Sequence, residues 1–169
     1  MATLVLNADA QPMNFLPLST ISWQEAIRYM CLEKVSVMTW YEDWVVHSAS
    51  WETCVPAVVM LVEYQKPKHV ARLSKRNLFL RDNYKCQYCG LRISEDTASL
   101  DHVIPQSKGG RGSWDNLSTS CKLCNSKKGD QDHMRPHQMP YKPDYWELAA
   151  KRKAMGYEIK HPSWSDFIG

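Results

Sequence analysis

Two short cysteine pairs constrain this chain more than any other feature of its sequence. Cys86-Gln87-Tyr88-Cys89 and Cys121-Lys122-Leu123-Cys124 each have two residues between the cysteines, a spacing at which one turn presents two thiolates to a tetrahedral ion. The four thiolates predict one structural Zn²⁺ ion per chain; the alternatives are redox or disulfide pairing, or four unrelated buried thiols. The pairs are separated by 31 residues, more than the usual gap of about 15–20, so a further motif is inserted between them.

Residues suited to hydrolysis lie inside this frame. Asp101 and His102 are adjacent in the inserted segment, and Asn125 directly follows the second cysteine pair. An imidazole has an ordinary pKa of about 6.5, so His102 can accept the proton of an attacking water at neutral pH. A carboxylate and an amide oxygen are hard ligands for Mg²⁺ or Mn²⁺. The pattern predicts metal-assisted phosphodiester hydrolysis, with Asp101, His102 and Asn125 around the catalytic ion.

Each of these residues also has a structural interpretation. An Asp-His pair is usually a surface or structural pair, Asn116 could be a turn residue, and Asn125 could cap a helix. The Gly109-Gly110-Arg111-Gly112 stretch is typical of a loop that approaches a phosphate closely. The order of these elements inside the cysteine frame favours a nuclease; the alternative is a zinc-containing module that binds nucleic acid without cleaving it.

The segment from Arg76 to Asp130 resembles the HNH (His-Asn-His) endonuclease family, in the variant that has Asn in place of the last His. The resemblance implies a ββα-metal core, in which a bulge or twist brings Asp101 and His102 to one site. It also implies that Asn116 has a catalytic role by fixing the glycine-rich loop and orienting His102, and that Lys128 faces phosphate. The N-terminal part, with Leu6-Asn7-Ala8, resembles the leader of bacterial and phage proteins of this type.

The chain is expected to be an α+β protein: a zinc-stapled ββα-metal nuclease core, preceded by a small α/β unit and followed by a C-terminal helix. The predicted domains are residues 1–65, residues 66–135 with the nuclease core, and residues 136–169 with a proline-rich linker and the helix. Ser22 and Glu25 have the spacing of a helix capping box, and Asp144 can cap the C-terminal helix. Strands are predicted at 3–6, 35–40, 44–47 (as the hairpin partner of 35–40) and 57–62, and helices at 23–32, 74–82 and 145–155.

Positive charge is concentrated in the part that carries the cysteines. Residues 1–65 hold two basic and seven acidic side chains, whereas residues 66–169 hold the other 19 basic and 11 acidic ones. A mildly basic surface is often only solvated, but here it suits a phosphate backbone, so DNA, in double-stranded form, is the expected partner. The residues predicted to contact DNA are Lys75, Arg76, Arg81, Arg111, Lys127 and Lys128.

The sequence lacks a run of about 20 apolar residues that could span a bilayer and begins without the pattern of a secretory signal. A cytoplasmic location without a membrane partner is therefore expected, in the host cell if a phage encodes the protein. The acidic N-terminal unit is a candidate for self-association or for binding a protein partner. Cys31 and Cys54 lie in apolar surroundings and are expected to be small buried side chains.

Overall fold

The computed structural model describes residues 2–168, which group into two compact units. One unit contains residues 2–69 together with residues 156–168, and the other contains residues 70–155. The three predicted domains (1–65, 66–135 and 136–169) stay a prediction. Among the described residues, no helix has the length and apolar character needed to cross a membrane.

The N-terminal unit is built on a four-stranded sheet in the order β2-β1-β4-β3. The central pair, β1 and β4, is parallel, and the two outer pairings are antiparallel. The strands are β1 (Ala2–Leu6), β2 (Thr20–Ser22), β3 (Val35–His47) and β4 (Glu52–Leu61).

The apolar run within β4 is buried because both faces of the sheet are covered. On one face, Leu4 and Val58 pack with Trp164, whose indole Nε1 donates to the Ala57 carbonyl at 2.9 Å. On the other face, Val5 and Val59 form a second buried cluster. A strand that is covered on both faces carries apolar residues without alternation, so the buried strand predicted at 57–62 is confirmed.

Helix α1 (Trp23–Cys31) begins at the predicted capping box. The Ser22 hydroxyl accepts from the Glu25 amide, and the Glu25 carboxylate accepts from the Ser22 amide. The prediction for Cys31 is wrong: this last helical residue is exposed, and Cys54 is only half-buried. Cys31 lies five residues after Ala26, the buried residue of this helix, so at about 100° per residue it lies on a different face.

The strand predicted at 44–47 is not the hairpin partner of 35–40. Residues 35 to 47 form the single strand β3, which pairs with β4 through three irregularities in register. The chain reverses later, where the Ser48 amide donates to the Trp51 carbonyl at 2.7 Å. The irregularities interrupt the alternation of side chains, which made one long strand read as two.

The second unit contains the predicted ββα core. Strands β5 (Ala98–His102) and β6 (Leu117–Cys121) are antiparallel, and β6 runs directly into helix α3 (Lys122–Lys128). Helix α2 (Lys75–Arg81) lies within the helix predicted at 74–82 and is capped by Ser74. Helix α4 (Tyr145–Ala154) begins at Asp144, the cap that the sequence predicted. A last helix, α5 (Ser165–Ile168), lies in the N-terminal unit. The α+β fold class with a ββα core is confirmed.

Candidate functional site

The four cysteines of the two pairs converge. The Sγ atoms of Cys86, Cys89, Cys121 and Cys124 all lie within 4.8 Å of one another. In a tetrahedral Zn²⁺ site with Zn–S bonds of about 2.3 Å, the sulfurs are separated by about 3.8 Å, so the cluster needs only a small contraction to hold such an ion. Cys121 is also the N-cap of α3, and its sulfur accepts from the Cys124 amide at 3.3 Å. The cysteines can therefore hold a metal ion, as the sequence predicted.

Electrostatics in the cluster favour a bound cation. Burial raises the pKa of Cys86, but hydrogen bonds from the backbone of Cys121, Tyr88 and Cys89 outweigh it and lower that pKa to about 7. Burial and the neighbouring sulfurs raise the pKa of Cys124. Four thiolates so close together repel one another unless a cation neutralises them. The donor set fits a thiophilic divalent ion such as Zn²⁺.

Beside the core lies an open cleft of about 290 Å³. Three predicted site residues line it, namely Asp101, His102 and Asn125. Gln106 and Asp130, which the sequence did not single out, line it as well. The end of β5 and the middle of α3 supply the three predicted residues, so the ββα core brings together positions more than 20 apart in sequence.

The carboxylate of Asp101 is buried and held at both oxygens. Its Oδ2 accepts a hydrogen bond from the Tyr88 hydroxyl, and its Oδ1 accepts one from Lys128 Nζ at 3.1 Å. Burial, the hydrogen bond to Asp101 and the negative charge of that carboxylate raise the pKa of Tyr88, so the phenol keeps its proton and donates. Each carboxylate oxygen has a second lone pair, so Asp101 can still offer an oxygen to a cation.

His102 reaches the same cleft without a bulge. The β5–β6 ladder is regular, with Asp101 opposite Ser118 and His102 opposite Leu117. His102 is the last residue of β5, where its half-exposed ring turns to the cleft while Asp101 lies buried beside it. Its Nε2 lies 3.1 Å from Nε2 of Gln106. The position of Asp101 and His102 at the end of β5 therefore brings both side chains to one cleft, without the bulge that the resemblance implied as one possibility.

Asn116 holds the loop that follows His102. Its Oδ1 accepts from the Ile104 amide at 2.8 Å, and its Nδ2 donates to the carbonyls of Ile104 at 3.1 Å and Arg111 at 2.9 Å. Gly110 lies so close that a Cβ there would overlap the Ile104 carbonyl, so only glycine fits. Asn116 is 7% exposed and does not line the cleft, a position suited to fixing the loop rather than to contacting substrate.

Asn125 lies in the middle of α3, with its amide nitrogen turned to β5. Its Nδ2 donates to Ser99 Oγ at 2.6 Å and makes a longer contact with the Leu100 carbonyl at 3.5 Å. These contacts leave the amide oxygen for another partner. Together with the second lone pairs of Asp101, this oxygen gives the cleft a donor set that fits Mg²⁺ or Mn²⁺.

The prediction that six basic side chains contact DNA is wrong for two of them, Arg81 and Lys128, because these side chains are buried. Arg81 is 2% exposed; it pairs with Asp82 at 2.7 Å and donates to the carbonyls of Trp114, Leu117 and Tyr141. Lys128 is fully buried and donates to Asp101 and to the His102 carbonyl, the latter at 2.7 Å. The remaining four predicted contacts are exposed: Lys75, Arg76, Arg111 and Lys127.

Sequence reasoning missed three residues that shape the site. Tyr88 holds Asp101, Gln106 lies against His102, and Asp82 anchors Arg81 while accepting from the Thr119 amide at 2.9 Å. The one available signal was the position of Tyr88 between two cysteines, where a bound ion would fix the backbone. Gln106 and Asp82 carried no comparable pattern.

Comparisons with known proteins agree with this geometry. Residues 86–138 match the family described as HNH endonuclease, and residues 3–69 match the HNH endonuclease-associated N-terminal domain. The CRISPR-associated endonuclease Cas9 of Corynebacterium diphtheriae is 35% identical over 51 residues, which are 30% of this chain and 5% of that protein. The Septu protein PtuB of Bacillus thuringiensis is 37% identical over 62 residues, which are 34% of this chain and 24% of that protein. The chain thus covers about a quarter or less of each relative, and the predicted family resemblance is confirmed.

Proposed function

We propose that this chain, which carries an HNH endonuclease domain and an HNH endonuclease-associated N-terminal domain, is a metal-dependent DNA endonuclease that hydrolyses phosphodiester bonds. The observation that supports this most is the cleft shared by Asp101, His102 and Asn125. A module that only binds nucleic acid requires phosphate contacts but neither a basic nitrogen nor hard metal ligands in one cleft. The combination therefore favours catalysis.

In the proposed reaction, His102 takes a proton from the water that attacks phosphorus. The ring is half-exposed on the cleft, and Gln106 lies against its Nε2 at 3.1 Å. The Gln106 amide orients the ring until water replaces it at that nitrogen. General-base catalysis of this kind accelerates hydrolysis by about 10²–10⁴-fold.

In this proposal, the hard oxygens of Asp101 and Asn125 would hold a divalent ion in the cleft that His102 also lines. When bound, Mg²⁺ or Mn²⁺ supplies Lewis-acid stabilisation of the phosphate and of the departing 3′ oxygen. Asn116 keeps the loop closed behind His102 through its bonds to Ile104 and Arg111. The cysteine-bound ion is structural, since a closed set of four thiolates leaves no open coordination position for substrate.

Double-stranded DNA is the proposed substrate, held through exposed cations. Lys75 and Arg76 lie on α2, Arg111 lies in the glycine-rich loop, and Lys127 lies on α3 near the cleft. Such side chains bind phosphates without regard to base sequence. Binding should therefore weaken as salt rises and show little sequence preference.

The test is incubation of the purified protein with supercoiled plasmid, with and without Mg²⁺ or Mn²⁺. We expect nicked or linear DNA only when the divalent ion is present. His102→Ala should abolish cleavage while DNA binding persists, and the matched control His133→Ala, which removes an exposed histidine outside the cleft, should cleave normally. Binding without cleavage by the wild-type protein at any divalent-ion concentration would favour the non-catalytic module instead. Normal cleavage by His102→Ala would remove the proposed base.

A further inference from the structure

The two side chains that hold Asp101 both come from elements anchored at the cysteine cluster. Tyr88 lies between Cys86 and Cys89. Lys128 is the last residue of α3, the helix that begins at Cys121 and carries Cys124. An ion on the four sulfurs therefore fixes the backbone next to Tyr88 on one side and the helix that carries Lys128 on the other.

We propose that Tyr88 is a positioning residue that couples the cysteine-bound ion to the orientation of the Asp101 carboxylate. This inference rests on the proposed function, in which Asp101 is a ligand of the catalytic ion. Tyr88 lies one position before Cys89 and two after Cys86, so an ion bound to both sulfurs would restrain its backbone on both sides. Its hydroxyl then donates to Oδ2 of Asp101 from a half-buried ring.

The hydrogen bond selects one rotation of the carboxylate. Lys128 Nζ, at 3.1 Å, holds Oδ1 and also binds the His102 carbonyl, so it ties the carboxylate to the end of β5. With one oxygen held in this way, the Tyr88 hydroxyl determines where the other oxygen points. Partners that orient a ligating carboxylate typically contribute about 10–100-fold to metal affinity or activity.

The ring and the hydroxyl of Tyr88 can be separated experimentally. The ring packs against the buried cluster around Phe79 and Cys86, as does the ring of Tyr84. Within the described residues 2–168, the Tyr84 hydroxyl makes no hydrogen bond, whereas the Tyr88 hydroxyl donates one to Asp101. Tyr84→Phe is therefore a matched control for Tyr88→Phe, since each variant removes one hydroxyl from a ring in the same cluster.

The experiment measures Mn²⁺ binding to zinc-loaded wild-type protein, Tyr88→Phe and Tyr84→Phe, using the electron paramagnetic resonance signal of free Mn²⁺. Zinc content and the thermal unfolding midpoint are measured on the same samples. We expect Tyr88→Phe to raise the Mn²⁺ dissociation constant by about 10-fold or more, with one zinc per chain retained. Cleavage by this variant should recover at high Mg²⁺, while Tyr84→Phe should match the wild type.

An unchanged Mn²⁺ dissociation constant in Tyr88→Phe would overturn the inference while leaving the nuclease proposal intact. Loss of zinc or of the folded state in this variant would overturn it as well, because the hydroxyl would then act in folding rather than in positioning. Wild-type protein that binds no Mn²⁺ and cleaves no DNA would instead refute the proposed function, and the inference with it.

Discussion

Replacing Asn116 with alanine tests whether a residue outside the cleft sets the catalytic geometry. The substitution removes three hydrogen bonds of 2.8, 3.1 and 2.9 Å that a 7% exposed side chain makes to Ile104 and Arg111. Leaving the part-buried Ile104 amide without its partner costs about 1–3 kcal/mol, and the two lost carbonyl contacts add about 1 kcal/mol in total. We expect a loss of about 2–4 kcal/mol, which lowers the unfolding midpoint by at least about 8 °C for a unit of this size.

Activity should fall through geometry rather than through metal affinity. A displacement of about 1 Å at a catalytic group can reduce the rate about 100-fold, and Asn116 controls the loop directly after His102. The assay follows cleavage rate against Mg²⁺ concentration, below the unfolding range, for Asn116→Ala and for the control Asn77→Ala, which loses a side-chain bond to the Arg72 carbonyl at 2.9 Å. The maximal rate of Asn116→Ala should drop while its half-saturating Mg²⁺ stays within about twofold, since the oxygens offered to the ion are unchanged. A shifted Mg²⁺ requirement with a normal maximal rate would refute this reasoning.

The other predictions concern the two metal sites, the DNA surface and the buried charge. Asn125→Ala should raise the Mg²⁺ or Mn²⁺ concentration needed for half-maximal cleavage, or abolish activity. Asn125→Asp should retain some activity, because a carboxylate is also a hard ligand. If neither variant changes the metal dependence, Asn125 does not belong to the metal site. Metal analysis should find one zinc per chain that survives dialysis, and acidification or chelation should release it and unfold the second unit; an active preparation without zinc would contradict this. Replacing Lys75 and Arg76 together with alanine should lower DNA affinity and reduce the salt slope by about 0.9 per lost phosphate contact; if affinity and slope both stay unchanged, α2 does not face DNA. Arg81→Met should destabilise the unit by about 3–5 kcal/mol because Asp82 loses its buried partner, measured by denaturant unfolding; a stable variant with a reduced salt slope would restore Arg81 as a DNA contact.

Local signals predicted the elements that depend on neighbouring residues. The capping pair Ser22 and Glu25 marked the start of α1, and Asp144 marked the start of α4. The cysteine pairs also predicted a contact between distant parts of the chain, because four thiols with metal-ligand spacing are expected to converge on one ion. Their sulfurs do lie within 4.8 Å of one another. By contrast, the prediction divided β3 into two strands, because the irregular pairing with β4 interrupts the alternation of side chains, and that pairing depends on the partner strand.

Burial of charge was the part of the site that local sequence could not reveal. Arg81 lies among other basic residues, so composition assigned it to the DNA surface, and the family resemblance assigned Lys128 there. Apart from Asp82, which is next to Arg81, their partners are distant: Arg81 donates to carbonyls 33, 36 and 60 residues away, and Lys128 pairs with a carboxylate 27 residues away. Only after β5, β6 and α3 assemble do these partners become available to satisfy a buried cation.

This burial also changes what the basic composition means for the mechanism. A buried cation cannot contact a phosphate outside, but Lys128 lies at 3.1 Å from the carboxylate that is proposed to bind the catalytic ion. Its hydrogen bond holds Oδ1 of Asp101 in place, so the carboxylate is oriented before a divalent ion arrives, whereas its positive charge weakens the attraction of that carboxylate for the ion. In the proposed function, the positive charge therefore acts in two ways: Lys128 orients a single metal ligand, whereas four exposed cations are available to a polyanion, namely Lys75, Arg76, Arg111 and Lys127. Replacing Lys75 and Arg76 with alanine should therefore lower DNA affinity without changing the Mg²⁺ concentration needed for half-maximal cleavage, whereas replacing Lys128 should change that Mg²⁺ concentration. DNA affinity and metal dependence then depend on different residues.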